Sequence, residues 1–224
     1  MAVEFDKMKE NTVKAENQVN TYTVLINENG KGQRILFLGN SITRHEPNEE
    51  IGWLYNHGMS ASKPENDYVH KVIAARPDDN AYCTCQVFEW EYNHYFQNEF
   101  SRFEEARDFG ADIIVARFVE NCQKRNYDPV EFERGYKALL DYYNPSGKAK
   151  IVYTSGFWKH PADPIIEKIA KENGMPFVYL GDLGQMDEMK ALGLFWHSGV
   201  AVHPGDAGMA EIANRIIKAI SNLK

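Results

Sequence analysis

The sequence has no run of about 18 apolar residues, no block of lysine or arginine, no CxxC or CxxH pair, and only three cysteines in 224 residues. Without such a run no helix can span a bilayer. Without a basic block, and with a net charge of −7 and a pI near 5.5, the chain has little to attract nucleic acid or an anionic membrane. The cysteines, Cys83, Cys85 and Cys122, are odd in number and the first two stand one residue apart, which argues against a disulfide framework or a zinc site. His45, His57, His70, His94, His160 and His197 show no HxH or HxxxH spacing, so neither a metal nor a cofactor is expected; His197, in "FWHSG", is notable for its closeness to His203. The first twenty residues are polar and lack an apolar leader core. The expectation is a cytoplasmic protein, or a secreted one if a leader has been removed.

What is present suits one sizeable core: 43% of the residues are hydrophobic and 12% aromatic. Residues 1–33 read as an N-terminal extension or edge strand around "TYTVLI", and 34–224 as a single domain. Apolar runs at Ile35 to Leu38, Ile113 to Ala116, Ile151 to Thr154 and Phe177 to Leu180 predict strands, with "AYCTCQVFEW" as a weaker fifth. Helical stretches alternate with them. Asp128–Pro129 and Asp163–Pro164 read as cap and first-turn pairs, the second helix being closed by Gly174. Met209, Ile212, Ala213, Ile216, Ile217 and Ile220 form one stripe of a docked C-terminal helix. This alternation predicts an α/β fold, a parallel sheet of about five strands with helices on both faces. Residues 44–66, rich in Gly, Pro, Asn and aromatics, predict a long loop at the carboxyl end of the first strand, where ligands of such sheets bind.

Two segments carry candidate chemistry. "RILFLGNSIT" ends a buried strand in Gly39, Asn40 and Ser41, residues that either cap the next segment or present a hydroxyl at the ligand-binding edge. A serine hydroxyl needs a base to become a nucleophile. "VAVHPGDAGMAEIA" supplies one in His203, which precedes the C-terminal helix, with Asp206 available to cap it.

With these two blocks in place the sequence resembles the SGNH (GDSL-type) hydrolases. "FLGNSIT" is similar to their first block and "VHPGDAGM" to their last, and the similarity runs from about Arg34 to Ile217. The resemblance implies a three-layer flavodoxin-like fold and a serine esterase or acylhydrolase, with Ser41 as nucleophile and His203 as base. It implies Asn121, in "ARFVENC", and the Trp90 backbone N–H, in "VFEWEYN", as donors to the oxyanion beside the Ser41 N–H. The family's aspartate, three residues before the histidine, is Val200 here. A backbone carbonyl near Val200, Glu120 or Glu91 is left to hold the imidazole, and a dyad or a Glu120-assisted arrangement is favoured. Asn40, Trp90, Glu91 and Trp158 are further candidates for oxyanion or substrate contacts. Asp182, in "LGDLG", reads as a turn residue.

Trp53, Trp90, Trp158 and Trp196 fall in or beside loops at the same sheet edge, where aromatic faces would suit a sugar ring. No long apolar segment offers a tunnel for a fatty acyl chain. The expected substrate is a short, acetyl ester on a carbohydrate or small metabolite, needing no cofactor; a thioesterase or lysophospholipase, or a non-catalytic glycan-binding protein, are the alternatives.

Overall fold

The computed structural model describes residues 22–76, 78–92, 100–122 and 127–223. Its elements are β1 (Thr23–Ile26), β2 (Arg34–Gly39), α1 (Tyr68–Ala74), β3 (Ala81–Gln86), α2 (Phe88–Tyr92), α3 (Glu104–Asp108), β4 (Ile113–Arg117), α4 (Pro129–Tyr143), β5 (Lys150–Thr154), α5 (Asp163–Glu172), β6 (Phe177–Val178), α6 (Ser198–Ala201) and α7 (Asp206–Ser221). The strands form one sheet in the order β1-β3-β2-β4-β5-β6. β2 through β6 are parallel, and β1 pairs antiparallel with β3. The sheet therefore has six strands and is mixed, where about five parallel strands were expected. The extra strand is the "TYTVLI" segment at the edge. Residues 1–21 of the expected extension lie outside the described residues.

Alternation along each strand sorts the core into two layers. Ile35, Phe37, Tyr82, Ile113, Val115 and Val152 face α1 and α7, together with Met209, Ile212 and Ile216. Leu36, Leu38, Cys83, Cys85, Ile114 and Ala116 face α3, α4 and α5. Apolar residues thus run on both faces of β2 and β4, as a sheet covered on both sides requires.

Local chemistry sets the ends. Asp128 caps α4 as expected, accepting from Val130 N at 2.8 Å and Glu131 N at 3.1 Å. Asp163 is the first residue of α5 and not its cap; its carboxylate turns back to Gly156 N (3.1 Å) and His160 N (2.8 Å), closing the loop after β5. The expected strand to Leu180 stops at Val178, because the Ser155 hydroxyl replaces the ladder carbonyl for Leu180 N (2.7 Å) and Gly181 N (3.2 Å). Asp206 likewise opens α7 without capping it: Gly205 is the cap, and Asp206 accepts from Ser62 N (2.8 Å), Ser62 Oγ (2.6 Å) and Asn66 Nδ2 (2.9 Å).

Those bonds tie the long loop after β2 to the helix that follows His203. A small cluster of Trp53, Met59 and Val200 anchors the same loop against α6. Trp53 is wholly buried, and burying a side chain of that size stabilises by about 2–3 kcal/mol.

Candidate active site

The parallel register brings Gly39, Gln86 and Arg117 level at the carboxyl ends of β2, β3 and β4. The segments that leave these strands therefore meet at one edge: Asn40–Ser41, Val87–Phe88, and Phe118 to Asn121. At Gly39 a Cβ would lie 1.7 Å from Thr43 Oγ1, so only glycine lets the chain turn there. Thr43 N and Arg44 N then donate to the Asn40 carbonyl at 2.9 and 3.0 Å, a tight turn that projects Ser41 outward.

Ser41 Oγ lies 2.8 Å from His203 Nε2. On the far side of the ring, His203 Nδ1 lies 2.7 Å from the Gly199 carbonyl. A carbonyl only accepts, so Nδ1 carries the proton and Nε2 presents its lone pair to the hydroxyl. Burial drives the His203 pKa down to about 4, outweighing the pull of the Gly199 carbonyl, with His45 acting in the same direction as burial. The imidazole is neutral in neutral solution. Trp158 stands edge-on to it, ring centroids 5.5 Å apart.

Glu120 is not the acceptor at His203 Nδ1, since the Gly199 carbonyl occupies that position. It sits with Glu91 in a buried polar cluster beneath Ser41, organised around Asn40. Asn40 Nδ2 donates to Glu120 Oε2 (2.7 Å) and lies 3.1 and 3.2 Å from the two oxygens of Glu91. Asn40 Oδ1 accepts from Arg117 Nη2 (3.0 Å) and Ile42 N (3.3 Å). Asn40 thus caps the turn and also joins two carboxylates to a guanidinium. Arg117, with no exposed surface, pairs with Glu120 at 2.7 Å.

The two carboxyls titrate in opposite directions. Burial pushes Glu120 up, but Arg117, the Phe157 amide at 2.8 Å and Asn40 outweigh it and hold the group below the usual range. Among the described residues Glu91 has no direct cation; burial and the Glu120 charge push it up to about 7 against its amide donors. Those donors are Asn40 Nδ2, Val119 N, Asn121 N and Asn121 Nδ2, the last at 2.8 Å. Val119 holds a φ of 151°, a strained value for a β-branched residue.

A cleft of about 630 Å³ opens over the pair, lined by Ser41, His203 and Asn121 together with Tyr22, Gln86, Phe88, His197 and the loop residues His45, Glu46, Asn48, Ile51 and Met59. Ser41, His203, Asn121 and His197 meet here as the sequence suggested, and the loop expected over residues 44–66 supplies His45, Glu46, Asn48, Ile51 and Met59, whereas Tyr22, Gln86 and Phe88 were not anticipated as lining. Trp90 is not in the lining: its indole packs into the core against Phe118, Phe132 and Tyr136, and Gln86 and Phe88 form that wall. The expected ring of tryptophans does not form. Trp53 and Trp90 are core, Trp158 supports His203, and Trp196 alone is exposed, at 70%. Asp182 pairs with Arg215 through two bonds of 2.7 and 2.9 Å and takes no part in the cleft. Among the described residues no group of His, Cys, Asp and Glu could hold a metal, and no helix is long and apolar enough to cross a membrane. His94 lies outside the described residues.

No family model and no curated protein matches the sequence. Solved structures do. The chain is similar to an acetylxylan esterase from Geobacillus stearothermophilus, at 16% identity and a TM-score of 0.53, over 87% of this chain and 96% of that one. It is similar to an α/β hydrolase enzyme from the metagenome of Lake Arreo, Spain (16%, TM-score 0.56, 87% and 98%). A mutant of a family two carbohydrate esterase from Clostridium thermocellum gives 14% and 0.58 over 85% of this chain and 63% of that one. At such identities the shared property is the architecture: the chain has the three-layer, flavodoxin-like α/β fold of these hydrolases, the fold its resemblance to the SGNH hydrolases implies.

Proposed function

We propose that the protein is a serine esterase that removes short acyl groups, acetyl foremost, from a carbohydrate. The observation that carries this reading is the tautomer: with Nδ1–H fixed on the Gly199 carbonyl, the free Nε2 lone pair faces Ser41 Oγ at 2.8 Å. That is the state a general base needs before proton transfer.

Ser41 gives its proton to His203 Nε2 as its oxygen attacks the ester carbonyl. The imidazolium returns that proton to the departing alkoxide, and water repeats the sequence on the acyl-enzyme. The oxyanion is held by the Ser41 N–H and by Asn121. An amide nitrogen carries two hydrogens, and the bond to Glu91 uses one, fixing Nδ2 and leaving the other for the substrate. Glu91 is in this reading a positioning residue, and Glu120 balances Arg117.

Carbohydrate as the alcohol that carries the acyl group is supported by the mixed lining of the cleft, in which Glu46, Asn48, His45 and His197 stand beside Phe88 and Ile51. The named activities of the structural relatives point the same way. Hydrolysis of p-nitrophenyl acetate by the protein and by its Ser41→Ala variant tests the reading. Turnover confined to the unaltered protein is expected; equal, near-background rates in both would overturn it.

A further inference from the structure

Single exposed apolar side chains are ordinary on protein surfaces. Trp196 differs in how it is held. Its indole rests on Gly52, where a Cβ would lie 2.4 Å from Nε1 and 3.1 Å from Cε2, and Gly52 has a φ of 69°. Any other residue at 52 would be strained and would push the indole away. The seat is itself rigid. Asn48 and Trp53 exchange backbone bonds of 2.6 and 3.1 Å around it, and the buried Trp53 donates to the His45 carbonyl at 3.1 Å.

The chain neighbours of this pair, Ile51 and His197, both line the cleft above Ser41, and the Trp196 ring stands edge-on to His197 at 5.5 Å. A large aromatic surface, 70% exposed, is thus fixed at the rim of a polar cleft. The C–H face of a pyranose ring stacks on such a surface while its hydroxyls stay in water.

We propose that Trp196, seated on Gly52, is a sugar-binding subsite that holds an unmodified pyranose ring of an oligosaccharide whose acylated ring enters the cleft. The kinetic part of this proposal rests on the esterase reading; the binding part does not.

Titration of the Ser41→Ala protein with unacetylated xylotetraose, followed by calorimetry, is compared with the same protein carrying Trp196→Ala. The expected result is binding that weakens about fivefold to tenfold without the indole and is largely kept in Trp196→Phe. With acetylated xylotetraose as substrate, Trp196→Ala should raise KM by a similar factor while kcat changes less than twofold. Thermal unfolding of the variants checks that the fold is kept. Xylotetraose binding that is absent, or indifferent to Trp196→Ala, overturns the subsite. Binding that depends on Trp196 in a protein that hydrolyses no ester would keep the subsite and sink the esterase.

Discussion

The two partners of the Ser41–His203 pair stand in opposite surroundings. Beneath the serine lie Asn40, Arg117, Glu91 and Glu120, all buried or nearly so and joined by hydrogen bonds. Behind the histidine no charge is in contact among the described residues: a backbone carbonyl takes its Nδ1–H and Trp158 supports the ring. In a serine triad the charge sits behind the histidine, orienting it and stabilising the imidazolium. Here orientation comes from the backbone and the charge lies on the serine side. The absence of an acid at Val200 therefore leaves the tautomer intact, and its cost is confined to the imidazolium.

Removing the cation on the serine side should have the largest effect. Arg117→Met would leave the Glu120 carboxylate buried without its partner, and is expected to cost about 3–5 kcal/mol in urea unfolding. A loss under 1 kcal/mol would show that the cluster carries no net charge to balance. Asn121→Ala should lower kcat by about a hundredfold or more with KM little changed, roughly 3 kcal/mol of barrier. Parallel changes in both constants would place Asn121 in ground-state binding instead.

The two sides also oppose each other in pH. His203 has a folded pKa near 4, below its ordinary 6.5, so its contribution to stability is complete above pH 6.5 and is lost as pH falls toward 4. Glu91 is raised from 4.5 to about 7, so its contribution is complete below pH 4.5 and is lost as pH rises to 7. In the window they share, the two contributions run against each other. Glu91→Gln should leave the histidine's dependence unopposed, with unfolding free energy falling more steeply as pH is lowered from 6.5 to 4.5 than in the unaltered protein. An unchanged pH profile in the variant would remove Glu91 from the balance.

The smallest effect is expected from adding the missing acid. Val200→Asp, at a buried position packed against Trp53 and Met59, should move the acid limb of kcat/KM upward from near pH 4 by about one unit where its carboxylate reaches the imidazole. A limb that stays in place would show that residue 200 does not reach His203.

How much of this was legible depends on where each signal is stored. Apolar runs bounded by turn residues gave β2, β4 and β5, and a serine and a histidine at the ends of such runs are visible in any one sequence. The Gly199 carbonyl leaves no trace, because every residue has one. Trp90 read as an oxyanion donor through its backbone N–H and as one of the aromatics at the sheet edge; its indole proved to be core, since a single short helix turns the side chain away from the cleft. Arg117 did leave a signal that went unused: in "IIVARF" a charged residue closes a wholly buried strand, which is costly unless it is paired. Its partner Glu120, three residues on, is the other half of that signal.

The proposed chemistry depends on a neutral His203 held by a backbone carbonyl. Nitrogen-15 NMR of histidine-labelled protein, with His203 assigned by substitution, reads tautomer and pKa together. A proton on Nδ1 that persists as the single ring proton down to about pH 4 is the predicted result. An Nε2–H tautomer, or an imidazolium already formed at pH 6.5, would contradict it.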